Sequence, residues 1–268
     1  MNHTLENNKL LIIIETFGGN IKQILDKSTN INHYWSYDAN IWPRRTSICF
    51  PVCGYVEKNT YILNKKPYEM PFHGFIREME FQLIKSTPTQ LNLLVTSTPQ
   101  TLKQYPYKFK FELQYVLQDN ELQITYIITN ENNQPMLYQC GSHYTYNIPL
   151  TQGMAYNDYI LKAGNVELNL GTNPFKNGAI INLVKDLNTD TITLLNTKSN
   201  RSTSVYFKGF KNCVLWAPPG QPGFVCIEPW DGCGDTKDQE NLNFESKKDI
   251  MTLAPNISTT YLQVIKIN

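Results

Sequence analysis

Apolar and polar residues alternate along much of this chain, which is the pattern of strands buried on one face. The clearest alternation runs through residues 109–117, and residues 121–130 repeat it after an Asp119-Asn120 turn. Further short strands are predicted at residues 9–17, 20–25, 81–86, 91–96, 159–163, 166–170, 179–183, 191–195, 204–207, 214–216, 224–227 and 261–267. This many short strands predicts an all-β fold, a large antiparallel β-sandwich.

One short helix is predicted at residues 98–104, because Ser97-Thr98-Pro99 is a capping signal with proline at the first helical position. No shift in composition marks a linker. We therefore expect a single domain over residues 1–268.

Charge and hydropathy exclude several classes of partner. The net charge is +1, which favours neither nucleic acid nor a membrane surface. We expect no secretory leader and no membrane span, since no apolar run approaches the roughly 20 residues that a bilayer requires. The six cysteines form no CxxC pair and stand mostly in apolar runs, so we expect buried free thiols in a reducing cytoplasm and no metal site.

Glu228 follows the apolar run 224–227 and precedes Pro229. Because proline lacks the backbone N–H that a strand donates to its neighbour, we expect Glu228 at the end of a buried strand, beside Trp216 and Trp230. A carboxyl group next to apolar rings is partly desolvated, which raises its pKa and suits it to act as a base near neutral pH. A salt-bridged structural glutamate is the alternative.

Three loops carry further candidate chemistry. Residues 31–54 hold two tryptophans and the adjacent Arg44 and Arg45, and His73 lies between Pro71 and Gly74. His143 follows Gly141 and precedes an aromatic pair. Alternatives remain for each: a surface histidine without a role, or an arginine that only clamps an aromatic loop.

Four motifs, taken in order, resemble the aldose 1-epimerase (galactose mutarotase) superfamily, and most closely its LacX-like branch. They are Trp42-Pro43-Arg44 with Cys49-Phe50-Pro51 and Gly54, then Pro71-Phe72-His73-Gly74-Phe75-Ile76-Arg77, then Gly141-Ser142-His143-Tyr144, and finally Cys226-Ile227-Glu228-Pro229-Trp230. Two positions depart from the family pattern. Tyr144-Thr145 stands where Pro-Tyr is usual, and Asn177-Gly178-Ala179 replaces a stretch that tends to carry an aspartate.

The resemblance implies a β-supersandwich, an isomerase activity without cofactor or metal, and a role for each matching residue. Glu228 would be the general base at the anomeric hydroxyl, and His143 the general acid at the ring oxygen. The resemblance implies substrate-binding roles for the residues Arg44, His73, Arg77, Tyr144 and Trp230.

Three functions stay open at this point. An epimerase acting on an aldohexose is favoured, with a hexose 6-phosphate mutarotase as its variant. A binding module without turnover needs aromatic rings but not both His143 and Glu228. A glycoside hydrolase needs a second carboxylate, for which Asp231, Asp235 and Glu69 are available. Adjacent residues of an extended chain point to opposite sides, so Arg44 and Arg45 are not expected to share a phosphate, and a neutral sugar is the expected substrate.

Overall fold

The computed structural model describes residues 1–35, 37–42, 48–150, 153–220 and 223–268, and for residues 181–185 only the backbone. The strands in chain order are β1 (Asn2–Glu6), β2 (Leu10–Glu15), β3 (Asn20–Asp26), β4 (Ile31–Asn32), β5 (Ile48–Cys49), β6 (Thr60–Leu63), β7 (Lys66–Glu69), β8 (Gln82–Thr87), β9 (Gln90–Thr96), β10 (Phe109–Gln118), β11 (Glu121–Asn130), β12 (Met136–Tyr138), β13 (Cys140–Ser142), β14 (Tyr144–Asn147), β15 (Tyr159–Ala163), β16 (Val166–Asn169), β17 (Ile180–Leu183), β18 (Thr191–Asn196), β19 (Ser202–Lys208), β20 (Asn212–Trp216), β21 (Phe224–Asp231), β22 (Met251–Leu253) and β23 (Ser258–Ile267). The helices are α1 (Thr101–Gln104) and α2 (Val184–Leu187), with 3₁₀ turns at Glu57–Asn59, Ile76–Glu78, Tyr156–Asp158, Leu170–Thr172 and Phe244–Ser246.

The largest sheet has nine antiparallel strands in the order β16-β15-β18-β19-β23-β11-β10-β9-β8. The two ten-residue strands β10 and β11 pair over their whole length, from Phe109 opposite Asn130 to Gln118 opposite Glu121. Their buried and half-buried residues alternate strictly, so one face of this sheet packs on the core and the other meets solvent.

A second sheet, in the order β17-β20-β21-β13-β5 with β14 also paired to β21, lies between the nine-stranded sheet and the candidate site. All eight residues of β21 are buried, so both faces of this strand are covered. On one face, Tyr144 packs in the main core and its hydroxyl accepts a hydrogen bond from Tyr126 of β11, at 3.3 Å. The opposite face carries the candidate site.

Smaller sheets complete the fold: β1-β2-β3-β4, and the pairs β6-β7 and β12-β22. Within the described residues, no helix is long and apolar enough to cross a membrane. All six cysteines, each in the described part of the chain, are buried and unpaired, which confirms the expected free thiols.

The predicted all-β antiparallel fold is confirmed, and most predicted strands lie within two or three residues of their observed bounds. Helix α2 was not predicted, and the predicted helix is shorter than expected, since α1 covers only Thr101–Gln104. Its start is stabilised by a reciprocal cap, in which Thr101 N donates to Thr98 Oγ1 and Thr98 N donates to Thr101 Oγ1. Strands β1, β4 to β7, β12 to β14 and β22 were not predicted, because their sequences lack a clear apolar alternation.

One expectation about Glu228 is wrong. Strand β21 does not end before Pro229 but continues to Asp231, so Glu228 lies inside the strand. The register explains why proline is tolerated there. On one edge, β14 pairs with Phe224 to Ile227 and β13 pairs with Trp230 and Asp231, which leaves Glu228 and Pro229 without a pair. Proline, which has no backbone N–H to donate, thus lies where the ladder on this edge is interrupted.

His33 is a buried histidine away from the candidate site. It is 1% exposed, and its Nδ1 lies 2.9 Å from Thr203 Oγ1 of β19. Burial is the main cause that lowers the pKa of His33 to about 4; Asp26 opposes this shift, and the charge of Arg201 contributes to it. The folded state therefore resists protonation that the unfolded chain accepts from about pH 6.5 downwards.

This difference makes His33 a source of acid sensitivity. At neutral pH, His33 does not lower the free energy of unfolding. As the pH falls from the pKa of His33 in the unfolded chain to its pKa in the folded protein, His33 lowers the free energy of unfolding progressively, by up to about 3 kcal/mol. Because glutamine does not titrate, we expect the free energy of unfolding of His33→Gln to fall by about 3 kcal/mol less than that of wild type between neutral pH and pH 4. Urea unfolding of both proteins at the two pH values measures it. Equal pH dependence in the two proteins would contradict the assignment.

Candidate active site

A cavity of 210 Å³ opens on the face of the second sheet that points away from the main core. Its wall combines four aromatic rings with a few ionisable groups and small apolar side chains. The lining residues are Trp42, Phe72, His73, Arg77, His143, Ala179, Val214, Trp216, Glu228 and Trp230. A mostly apolar cavity with a few converging polar groups is the usual form of a small-molecule site.

The alternation of β21 places Glu228 in this cavity. Cys226, Glu228 and Trp230 share one face of the strand, whereas Ile227 and Asp231 share the other. Glu228 is only 1% exposed. Burial raises the pKa of its carboxyl group well above the usual value, with a further contribution from Cys49, while a hydrogen bond with Cys226 opposes the shift.

His143 lies directly opposite, in the gap between β13 and β14. Because this gap faces Glu228, the imidazole approaches the carboxyl group, and His143 Nδ1 lies 3.4 Å from Glu228 Oε1. Burial, with a smaller contribution from the positive charge of Arg77, lowers the pKa of His143 to about 3. Burial therefore favours the uncharged form of both the His143 imidazole and the Glu228 carboxyl group, although their distance is that of an ion pair.

Each residue of the pair has one polar atom that could form a hydrogen bond with a ligand. Within the described residues, His143 Nδ1 and Glu228 Oε2 are buried without a hydrogen-bond partner. Such atoms are costly unless a ligand or water satisfies them, which is typical of a binding site. Their ligand atoms, together with Cys226 Sγ, lie within 4.8 Å of one another, and this nitrogen, oxygen and sulfur set is the group in the described chain that could hold a cation.

Trp230 packs flat against the backbone beside this pair. Its Nε1 donates to Ser142 O at 2.9 Å, and its ring lies over Gly141, where a Cβ atom would come within 2.4 Å of the indole. Any side chain at position 141 would therefore displace the tryptophan. The glycine of the Gly-x-His motif is needed for this close approach rather than for a turn.

His73 stands across the cavity, with its ring 4.9 Å from that of His143. The backbone N–H of Gly54 donates to His73 Nδ1 at 3.0 Å, and Cys49 Sγ lies 3.1 Å from the same nitrogen. An atom that accepts a backbone hydrogen bond carries no proton, so the neutral ring is protonated on Nε2. His73 is therefore set to act as a hydrogen-bond donor through Nε2.

Arg77 is held in place by its own loop. Its Nη2 donates to Phe72 O at 2.8 Å, and its Nε lies 3.7 Å from Glu78 Oε1. The side chain is 14% exposed and lines the cavity. A guanidinium fixed in this way is a rigid cationic group at the wall of the cavity.

The structure thus brings together five of the seven predicted site residues, namely His73, Arg77, His143, Glu228 and Trp230. It does not bring Tyr144 to the cavity: that side chain is fully buried in the main core, because its strand position alternates with that of His143. Arg44, like the neighbouring Arg45, lies outside the described residues.

The carboxylates weighed for a glycoside hydrolase do not join Glu228. Asp231 points to the core face, where Tyr261 donates to its carboxyl group at 2.8 Å. Asp235 is paired with the buried Lys247 at 2.5 Å. Glu69 lines a separate cleft.

Two aromatic residues of the cavity wall were not predicted to be site residues. Trp216 lines the cavity, with its ring centroid 4.7 Å from that of Trp42 and 6.2 Å from that of His143. Phe72 lines the cavity as well. The sequence feature that could have identified Phe72 as a cavity residue is its position beside His73 in the Pro-Phe-His-Gly motif.

Comparison with known proteins identifies relatives that cover nearly the whole chain. Protein LacX of Lactococcus lactis subsp. lactis is 27% identical in its plasmid form and 26% in its chromosomal form, and each alignment covers 94% of both chains. Two solved structures share the fold: a galactose mutarotase related enzyme from Lactobacillus acidophilus, with a TM-score of 0.93, 23% identity and coverage of 100% of this chain and 97% of the other, and a galactose mutarotase-like protein from Lactobacillus casei, with 0.91, 22% and full coverage of both. Residues 1–247 match the family described as aldose 1-epimerase. The chain therefore belongs to the aldose 1-epimerase family.

Proposed function

We propose that this protein is a mutarotase, an isomerase that interconverts the α and β anomers of an aldohexose. The observation that carries the proposal is the buried contact of 3.4 Å between His143 and Glu228 at one wall of the cavity. Mutarotation requires one group that accepts a proton and one that donates a proton, placed around a single sugar ring. The pair supplies both groups.

Glu228 removes the proton of the anomeric hydroxyl, and His143 donates a proton to the ring oxygen. The bond between the anomeric carbon and the ring oxygen then breaks, which gives the open-chain aldehyde. Rotation of the aldehyde group and reversal of the two proton transfers closes the ring to the other anomer. Each proton transfer contributes about 10²–10⁴-fold to the rate.

The proton needed by His143 is already present in the pair. With both groups neutral, one proton sits on the Glu228 carboxyl group. Its transfer across to His143 gives the carboxylate and the imidazolium that the reaction uses, without any exchange with solvent. A sugar hydroxyl that donates to the carboxylate favours this charged form over the neutral one.

The other cavity residues suit a pyranose. Aromatic rings such as Trp216 and Trp230 stack on the apolar face of a sugar, while their polar edges remain available for hydrogen bonds. His73, through Nε2, and Arg77 donate to sugar hydroxyls or to the ring oxygen. With its buried free thiols, the chain suits a reducing compartment, and we place its activity in the cytoplasm.

The first prediction tests turnover. We expect the protein to speed the change in optical rotation of freshly dissolved α-glucose or α-galactose, and Glu228→Gln to lower kcat by about 10²–10⁴-fold. Glutamine matches the neutral carboxyl group in shape but does not take up a proton, so the fold should survive, as a thermal melt would show.

Glu131→Gln, at an exposed position, is the matched control and should behave as wild type. Rapid turnover by Glu228→Gln would remove Glu228 from the mechanism. Binding of sugars without any acceleration would favour a carbohydrate-binding protein instead.

The second prediction concerns pH. The pair is active while it holds one titratable proton, so kcat/KM should stay level across the neutral range. It should fall in acid only as His143 is protonated in the presence of a neutral carboxyl group, near its pKa of about 3. It should fall in alkali as Glu228 loses its proton, above the ordinary carboxyl range. Initial rates across this range measure the profile, and an acid limb centred near pH 6.5 would show that His143 titrates as an ordinary histidine.

A further inference from the structure

Cys226 is a third neighbour of the catalytic pair, and the proposed chemistry does not use it. It precedes Glu228 by two residues on β21, so the alternation of the strand puts both side chains on one face. The thiol is fully buried and shares a hydrogen bond with the Glu228 carboxyl group. His143 completes the group from the break between β13 and β14. Mutarotation requires only a proton donor and a proton acceptor, which leaves Cys226 without a role.

These three side chains form a metal-binding set. His143 Nδ1, Cys226 Sγ and a carboxylate oxygen of Glu228 all lie within 4.8 Å of one another. Around a tetrahedral Zn²⁺ ion with bonds of about 2.0–2.3 Å, neighbouring ligand atoms are about 3.3–3.6 Å apart. The 3.4 Å between His143 Nδ1 and Glu228 Oε1 already matches such an edge. The sulfur then needs only a small side-chain rotation to complete the triangle.

Two of the three ligands carry atoms that need a partner. Within the described residues, His143 Nδ1 and Glu228 Oε2 are buried without a hydrogen-bond partner, and the two residues are only 8% and 1% exposed. Both line the cavity, so an ion can reach them from the same opening as a sugar. The cavity also leaves room for a water molecule as the fourth ligand of a tetrahedral ion.

The charge of Arg77 does not prevent a dication from binding. Arg77 lines the cavity and repels a cation. Burial, however, raises the pKa of both the Cys226 thiol and the Glu228 carboxyl group, which favours their protonated forms before the ion arrives. Zn²⁺ displaces one proton from each of these groups into solvent, so the net charge of the site is the same before and after binding.

The donor types select the ion. Mg²⁺ and Ca²⁺ prefer oxygen ligands, whereas Zn²⁺ binds thiolate, imidazole and carboxylate together. The sequence did not predict this set, because its members come from separate strands and contain no CxxC pair. Only the pairing of β21 with its neighbours brings the three side chains together.

We propose that His143, Cys226 and Glu228 bind Zn²⁺, and that the ion inhibits the protein by occupying its catalytic pair. The inhibition rests on the proposed mutarotase activity, whereas the binding does not. With the ion bound, the Glu228 carboxylate is neutralised by the metal and no longer takes up the anomeric proton. His143 Nδ1 is bonded to the metal and has no proton to donate. Zn²⁺ and the sugar therefore exclude each other.

Binding is measured with Co²⁺ as a spectroscopic probe and with Zn²⁺ by isothermal titration calorimetry, both in buffer without added thiols. We expect one Co²⁺ per chain, with the near-ultraviolet absorption of a cobalt–thiolate bond, and displacement of Co²⁺ by Zn²⁺. Mg²⁺ and Ca²⁺ should not compete. Cys226→Ala should lose the thiolate absorption and weaken Zn²⁺ binding by at least about 100-fold, since even residues outside a coordination shell change affinity by about 10–100-fold.

Cys140→Ala is the matched control. It also removes a fully buried thiol from the second sheet, but on the face that packs in the main core, so it should keep the absorption and the affinity. Cys226→Val fills the space of the thiol without a donor atom and should behave as Cys226→Ala. Thermal melts in the presence of EDTA show that each variant is folded.

Inhibition is measured on the initial rate of α-glucose mutarotation, with each variant normalised to its own rate in EDTA. We expect Zn²⁺ to raise KM without lowering kcat in wild type and in Cys140→Ala, and EDTA to restore the activity. In Cys226→Ala the inhibition constant for Zn²⁺ should rise by at least about 100-fold.

The two proposals fail in different ways. Absence of Zn²⁺ binding, or equal binding by wild type and Cys226→Ala, would refute the metal site and leave the mutarotase activity intact. Binding through Cys226 without competition with glucose would refute the inhibition. If no aldose is turned over, the mutarotase activity is refuted and the inhibition with it, while the thiolate absorption and its loss in Cys226→Ala still decide the metal site.

Discussion

Strand β21 is buried on both faces, and the candidate site depends on this constraint. One face carries Ile227 into the main core, and the other presents Glu228 to a cavity walled by aromatic rings. Water is scarce on either side, so a carboxyl group on this strand is desolvated wherever it points. The unusual protonation of Glu228 follows from the architecture of the sheet more than from any single neighbour.

The break between β13 and β14 is the second feature on which the candidate site depends. A continuous ladder along β21 would have placed another backbone beside Glu228, and Pro229 would then have left an acceptor without its donor. With the break, the proline costs no hydrogen bond on that edge and His143 gains access to the carboxyl group. The break between β13 and β14 and the proline that cannot donate a backbone hydrogen bond therefore lie at the same place, next to Glu228.

The sequence predicted the architecture well because the long hairpins, such as β10 with β11, alternate without exception. It also pointed to Glu228, His143 and His73, through short motifs whose order resembled a family. What it missed depended on pairing partners far along the chain. The extension of β21 past Pro229 requires the registers of β13 and β14, and the assignment of Tyr144 to the core requires knowing which face His143 uses. Local patterns do not contain such register information.

The neutral His143–Glu228 pair has a further consequence, for the electrostatics of the whole molecule. Moving a proton between its members, or through a sugar and back, changes the dipole of the site but never its net charge. No counterion has to enter or leave, and no charge has to be carried through the low-dielectric interior. A protein with a net charge of +1 has no strong surface field to support such movement, and this site does not need one. Its turnover should therefore be indifferent to ionic strength.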